Sequence, residues 1–593
     1  MTRLALRDAA APLALLATVA LGAAAVTTVW LATAAATLID SGVWSPPAWS
    51  ARLLTEPWPT SGSFALILAC SVALLVALAI GAAVLGRRLT RALRPSPMLD
   101  RRGLGDLAGE KQQKRARSLR NLPTRAALAA ADRGIRLGLL DGHEIWMSWE
   151  DVALVIMGPR SNKTSAIAVP AVLSAPGLAI ATSNKSDLWA FTAGPRSEVG
   201  PVWTFDPQQI AYAPQAWWWD PLRAIRDAPP DHRYEAAARL AGHFMATIGG
   251  QRRDPFFHAA GEQVLVGTLL AAALSDATMR EVSLWLQQGR RNAIVALDRI
   301  GASGEAAELE AALNGADVTA KGIFQTARTA TKALASERTL RWITPPRSWR
   351  AGDGGRQEEL DPWRLVLESA ERPVTAHLMS KEGAGTAAPV VAALVDRILD
   401  VAESHAQASG GRLDPPVVAV LDEAANICPI QDLPKLYSHY GSRGIQVLTM
   451  LQSYQQGVGV WGTQGMDALW SAATVKLVGA GVDDHAFLQR LSGLIGDHDV
   501  DKQSISHSRG GGTWQTSTTR QPIMPPDALR ALDRTQAVLL TSGRRIGIAR
   551  LLPWYRENHA TDIRDYADSA LAELRAAARD ALGSRYSSYG DPR

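Results

Sequence analysis

The segment Gly158-Pro-Arg-Ser-Asn-Lys-Thr164 constrains this chain more than any other. It follows the apolar run Val152–Met157 and is continued by Ser165-Ala-Ile-Ala-Val169. A strand that ends in a tight loop and enters a helix is the setting in which such a motif binds phosphate. Main-chain N–H groups at the loop and helix start surround phosphate oxygens, a lysine reaches the outer phosphates, and a hydroxyl serves Mg²⁺. Gly158, Pro159, Arg160, Ser161, Asn162, Lys163, Thr164 and Ser165 therefore form the candidate nucleotide cradle, with Lys163 catalytic and Thr164 beside the metal. Asn162 stands where the usual pattern has glycine, at a point where the backbone bends sharply and comes close to the phosphates. Asn tolerates left-handed backbone angles better than most residues, at about 1–2 kcal/mol, but its side chain can crowd a nucleotide. Two expectations stay open: an active ATPase, and a protein that binds nucleotide and hydrolyses it poorly.

A length of 593 residues is too great for one compact domain and suggests about three or four units. With Cys70 and Cys428 as the only cysteines, a disulfide framework or a cysteine-rich zinc site is excluded. Ala9–Leu38 and Ser61–Gly86 carry no charge, and each exceeds the roughly 20 residues that span a bilayer. The first also contains Ala34-Ala-Ala36, which resembles a signal-peptide cleavage site, but its apolar run is long for one and a second span follows. Arg87–Arg120 holds eleven Lys or Arg against three acidic residues, an excess larger than the whole chain's formal +5. Positive flanks stay on the cytoplasmic side, so both termini are expected inside the cell (plasma or inner) membrane, with the short loop outside. These charges enforce topology and meet anionic lipid, or add a nucleic-acid contact; the rest of the chain is slightly acidic.

The predicted domains are a transmembrane anchor (1–88), a basic juxtamembrane linker (89–130), a nucleotide-binding domain in two parts (131–210 and 352–556), an inserted all-α domain (211–351), and a C-terminal helix with a disordered tail (557–593). Short apolar runs that read as strands recur at 178–182, 201–205, 372–377, 416–421, 445–451, 474–478 and 537–540. Alternating with helices, they predict an α/β fold with a mostly parallel sheet. Between about Ala211 and Ala351 the pattern is helical. Ser508–Thr519 is rich in Gly, Ser and Thr and reads as a mobile loop or hairpin.

Asp422 and Glu423 end the apolar run Val417–Leu421. An aspartate there can hold Mg²⁺ beside the phosphates, and the next carboxylate can take a proton from attacking water. Alone, such a pair is as easily a helix cap and a solvated charge; the upstream phosphate loop favours the catalytic reading. Gln452 ends the run Ile445–Leu451, expected beside the Asp-Glu strand, and can sense the terminal phosphate or the water. Arg443 can stabilise transition-state charge at a neighbouring subunit's nucleotide, or simply be solvated. Trp217-Trp218-Trp219 can stack on bases, although packing is the simpler reading. His258 lacks ligand partners at metal-binding spacing, and Gly510-Gly-Gly512, with no strand predicted before it, reads as a flexible loop.

The two-span anchor, Lys163-Thr164, Asn184-Lys-Ser-Asp-Leu188, Asp206-Pro207, Trp219-Asp-Pro-Leu222, Leu421-Asp-Glu-Ala-Ala-Asn426 and Leu451-Gln-Ser453 occur here in a telling order. In that order the chain resembles, over nearly its whole length, the type IV coupling proteins, the TraG/TraD-like ATPases of bacterial conjugation and type IV secretion. The resemblance implies a RecA-like P-loop motor with an all-helical insertion, a membrane anchor and a homo-hexameric ring. It implies ATP and Mg²⁺ as cofactors, and DNA (single- or double-stranded), a relaxase or relaxosome, and secretion-channel proteins as partners. Lys163, Thr164, Asp422, Glu423 and Gln452 match the family's functional positions, and Arg443 lies near its trans-acting arginine. A hydrolysis-poor receptor or scaffold is one alternative. A septal-type DNA translocase is another; it predicts a winged-helix tail or tandem motors, whereas one phosphate loop and a short tail are present.

Overall fold

In the computed structural model the described residues are 10–93, 97–123, 128–248, 254–288, 291–314, 317–346, 357–508 and 511–589. Ala9, Pro95, Gly510 and the tail expected beyond the last helix (590–593) lie outside them. The chain divides into two compact units, Met1–Ser96 and Pro97–Arg593.

The first unit is a pair of 32-residue helices, Ala10–Ser41 and Gly62–Leu93. At 1.5 Å per residue each is about 48 Å long, more than a bilayer core requires. The connecting loop presents Trp44, Trp49 and Trp58, all about half exposed. The indole N–H of Trp30 donates to the Pro47 carbonyl at 2.7 Å and ties the loop back to the first helix.

The second unit is built on an eleven-stranded sheet. Its strands are β1 (Ile135–Leu140), β2 (His143–Met147), β3 (Ala153–Ile156), β4 (Leu178–Ser183) and β5 (Val202–Phe205). The short β6 (Trp217–Trp218) and β7 (Glu358–Glu359) pair with each other outside it. The sheet continues with β8 (Val374–Met379), β9 (Val417–Leu421), β10 (Ile445–Leu451) and β11 (Val475–Gly479). After the separate hairpin β12 (Asp497–Ser508) and β13 (Gly511–Pro522), it is completed by β14 (Gln536–Thr541) and β15 (Gly547–Arg550). The spatial order is β2-β1-β15-β14-β11-β3-β10-β9-β4-β8-β5. From β11 to β5 every pairing is parallel, and β14, β15, β1 and β2 add an antiparallel wing. Strands β3, β4, β8, β9 and β10 are buried along their whole length. That is the burial a parallel sheet covered on both faces requires, and it explains their near-continuous apolar sequences.

Between β6 and β7 the described elements are all helical, from Arg223–Asp227 to Glu337–Trp342. The helix Pro255–Leu274 is apolar enough to span a membrane, yet its Val264, Leu265, Leu269 and Leu270 are buried in the core that also covers one face of the sheet. Trp217, Trp218 and Trp219 are buried as well; Trp217 meets Trp203, Phe205 and Trp342 at ring distances of 5.9, 5.9 and 5.3 Å. Their role here is packing.

Two expectations need correction. Among the described residues the basic segment is folded over 97–123 and includes the helix Gly109–Leu119. Its Leu99, Leu104 and Leu107 are buried, Arg115 pairs with Glu150 at 3.0 Å, and Arg120 reaches Asp414 at 2.7 Å. Leucines interleaved with arginines were the signal that this stretch packs. Gly511 and Gly512, expected in a flexible loop with no strand before them, begin β13 opposite the end of β12; of the two readings of the Gly/Ser/Thr-rich segment the hairpin holds, with twelve residues on each side and His507 opposite Gly512. Thr is at home in such strands.

Candidate nucleotide site

The order of the parallel strands decides where the site lies. The chain leaves β3 between β11 and β10 and returns in β4 on the far side of β9. Where consecutive strands part in this way, a crevice opens outside the carboxyl edge of the sheet. The segment 158–164 follows β3, Asp422-Glu423 follow β9, and Gln452 follows β10, so all three reach that crevice.

Met157 and Gly158 still belong to the sheet edge: Met157 N–H donates to the Leu451 carbonyl and Gly158 N–H to that of Ala480, both at 3.0 Å. A Cβ on residue 158 would sit 2.1 Å from the Gly481 carbonyl oxygen, so only glycine fits against that neighbouring turn. Counted back from Lys163, the first glycine of the usual G-x-x-x-x-G-K pattern falls on Met157. The motif thus departs at two positions, not only at Asn162. The loop proper is held by Ser161 Oγ donating to the Gly158 carbonyl at 2.6 Å. Arg160 and Asn162 both adopt left-handed backbone, φ 58° and 64°. Asn162 therefore takes the conformation for which glycine is usual. Its Nδ2 donates to the Arg534 carbonyl at 3.2 Å, which directs the amide to that segment. Beyond it, Thr164–Ala168 form a π-helical turn, a widened form often found at functional sites.

Lys163 lies between the two carboxylates, its Nζ 3.0 Å from Asp422 Oδ1 and 2.8 Å from Glu423 Oε1. The three residues are 7%, 5% and 8% exposed. Burial disfavours the ammonium, but Asp422 and Glu423 outweigh it and hold Lys163 above its usual value. Burial raises the Asp422 carboxyl above the ordinary carboxylate range, against the pull of Lys163 and with Glu423 adding to the rise. Thr164 Oγ1 donates to Asp422 Oδ2 at 3.1 Å, and Gln452 Nε2 donates to Glu423 Oε2 at 2.9 Å. Glu423 itself has φ 54°, a left-handed conformation that costs a non-glycine residue about 1–3 kcal/mol and recurs at functional sites. This arrangement fits a magnesium nucleotide. Thr164 and Asp422 offer adjacent oxygens, and Mg²⁺ characteristically combines one or two such ligands with phosphates and water. Among the described residues no cluster of His, Cys, Asp and Glu suggests an independent metal centre.

Arg443 is not brought to this crevice. It precedes β10, at the opposite edge of the sheet from Gln452, and pairs with Glu403. Asp206 is structural: its carboxylate accepts from the N–H groups of Ile210 and Ala211 at 2.6 and 2.9 Å and shapes the loop after β5. Asp220 likewise accepts from Leu222 N–H at 3.0 Å.

Replacing Asn162 by Gly removes both the left-handed penalty, about 1–2 kcal/mol, and one hydrogen bond, about 0.5–1.5 kcal/mol. The two nearly cancel, so the melting temperature is expected to stay within about 3 °C of wild type. A larger shift in a thermal melt would mean that the Arg534 contact governs the loop.

Family models match both segments that build the site. One described as "Type IV secretory system Conjugative DNA transfer" covers residues 110–295, and one described as "TraM recognition site of TraD and TraG" covers residues 416–534. No curated protein sequence matches. Among solved structures, the bacterial conjugative coupling protein TrwBdeltaN70 in an unbound form aligns with 74% of this chain and 92% of its own, at 15% identity and a TM-score of 0.51. TrwB in complex with ADP and Mg²⁺ aligns with 74% and 91%, at 15% identity and a TM-score of 0.47. The first of these shows a shared fold, a mostly parallel sheet with helical regions. With the phosphate loop inside one family segment and the acidic pair and Gln452 inside the other, the chain belongs to the type IV coupling proteins of conjugative DNA transfer.

Proposed function

We propose that this protein is a membrane-anchored ATPase that couples a relaxase-bound DNA strand, or a protein cargo, to a type IV secretion channel and drives its transfer. The observation that carries this reading is the set Lys163, Asp422, Glu423 and Gln452, joined by contacts of 2.8 to 3.0 Å at the carboxyl edge of the sheet. Lys163 would turn from the carboxylates to the outer phosphates when ATP enters, leaving Glu423 free to accept a proton from water. Gln452, bonded to Glu423, is placed to orient that water. Thr164 and Asp422 would hold Mg²⁺, which supplies neutralisation of phosphate charge.

The two apolar helices of the first unit serve as the anchor, and Trp44, Trp49 and Trp58 suit a membrane–water interface. In a homo-hexamer, Arg443 would act on a neighbouring subunit's nucleotide after giving up Glu403. The segment 416–534 is the candidate contact for a relaxosome protein, in keeping with the family description.

The test is DNA transfer from donor cells lacking this chain. Restoration by wild type, with loss of transfer when the two apolar helices are removed, is the expected result. Undiminished transfer without the chain would refute the proposal. Hydrolysis decides against the scaffold reading: that reading requires an inactive wild type and an active Asn162→Gly variant.

A further inference from the structure

Gln456 belongs to no motif that the sequence singled out, yet it holds the residue that faces the catalytic carboxylate. Ser453 caps the helix Tyr454–Ala472, and its side chain accepts from Gln456 N–H at 3.2 Å. Ser-x-x-Gln at this point is a capping box, in which the glutamine side chain ordinarily returns to the main-chain N–H of the capping serine. Here the glutamine reaches one residue further. Gln456 Oε1 accepts from the main-chain N–H of Gln452 at 2.8 Å. The assignment of oxygen to this atom follows from the chemistry, since an N–H requires an acceptor.

The consequence lies in what Gln452 does with its other end. Its side-chain Nε2 donates to Glu423 Oε2 at 2.9 Å. One residue therefore links the start of a helix to the proposed base through two hydrogen bonds, and Gln456 fixes the main-chain end. The turn from β10 into the helix is short, so losing the acceptor lets the peptide plane before Gln452 rotate and swings its amide off Glu423. Gln456 is half-buried and also lines a cavity of about 640 Å³ beside Asn426, Lys332 and the loop Gly383–Thr386.

We infer that Gln456 is a positioning residue for hydrolysis: through the main chain of Gln452 it sets the amide that orients the water at Glu423. The inference rests on the ATPase reading above. Misplacing a reacting group by about 1 Å can cost about 100-fold, and an indirect contact should cost less. The effect belongs in kcat, because Gln456 does not touch the nucleotide cradle.

The test measures ATP turnover and binding of a fluorescent ATP analogue with the full chain in lipid nanodiscs. Gln456→Ala is expected to lower kcat about 10-fold with KM and analogue affinity within about twofold, the signature of an interaction made in the transition state. Gln456→Glu, which keeps the acceptor, is expected to restore kcat to within about threefold of wild type. In a Gln452→Ala background, Gln456→Ala should add less than about twofold, because the main-chain N–H it holds remains but the side-chain amide it positions is already gone. Independent, multiplying losses would overturn the inference, as would a Gln456→Ala variant with unchanged kcat, or one whose melting temperature and analogue affinity fall together with kcat. Hydrolysis that Lys163→Ala abolishes but Gln456→Ala leaves untouched would refute the positioning role alone. Absence of hydrolysis in wild type would refute both this role and the ATPase reading.

Discussion

Replacing Glu423 by Gln is expected to lower kcat for ATP hydrolysis by about 10²–10⁴-fold, the range for removing a general base. The substitution keeps the size and hydrogen-bonding reach of the side chain, so Gln452 retains an oxygen to donate to. Lys163 retains Asp422 at 3.0 Å. The left-handed backbone at residue 423 is set by the turn out of β9, where Thr182 Oγ1 donates to the Asp422 carbonyl at 3.1 Å. The backbone geometry therefore survives, while proton acceptance and the Lys163–Glu423 ion pair are lost. KM and nucleotide affinity should remain near wild type, because a group that acts in the transition state affects kcat and kcat/KM together. Pre-steady-state quench measurements check this: bound ATP should persist without a product burst. A Glu423→Gln variant with full turnover would remove Glu423 from the mechanism.

Lys163→Ala is expected to abolish nucleotide binding, and to affect folding as well. Lys163 is the cation between two buried carboxylates, and removing one partner of such a set costs about 3–5 kcal/mol, because the remaining charge is left uncompensated. The loss should depend on pH. Asp422 is already raised by burial, and Lys163 is what pulls it down. Without the lysine the folded-state value rises further above the unfolded one. The variant is then most stable below the ordinary carboxylate range and loses stability as pH rises through the new folded-state value. Thermal melts of the variant and wild type should thus converge toward acid and diverge toward neutral pH. A variant that melts like wild type at every pH would show that the carboxylates do not rely on Lys163.

The legible part of the fold was the parallel half of the sheet. β3, β4, β8, β9 and β10 are covered on both faces, so each appears as an apolar run between loop residues. The antiparallel wing was harder to see. β15 is four residues long and ends in an exposed Arg550. The β1–β2 hairpin turns at Asp141-Gly142, with φ 49° and 80°, a dipeptide suited to a hairpin turn and available to a closer reading. In the site, residue types at strand ends named Lys163, Thr164, Asp422, Glu423 and Gln452 because phosphate chemistry draws on few side chains. Asn162 was legible as a left-handed position, and its φ of 64° agrees. The pairing of Arg443 with Glu403, forty positions earlier, and the hold of Gln456 on Gln452 were not legible. The first depends on which helix packs behind β10, the second on a single side-chain rotamer, and neither leaves a periodic trace in sequence.

On the proposal above, the crevice at β3, β9 and β10 hydrolyses ATP to move DNA. Steady-state turnover by the full chain in lipid nanodiscs, with and without single-stranded DNA and with Lys163→Ala alongside, tests it most directly. Magnesium-dependent turnover is expected in wild type, rising with DNA and vanishing in Lys163→Ala. Turnover that survives Lys163→Ala, or a wild type inactive both with and without DNA, would contradict it.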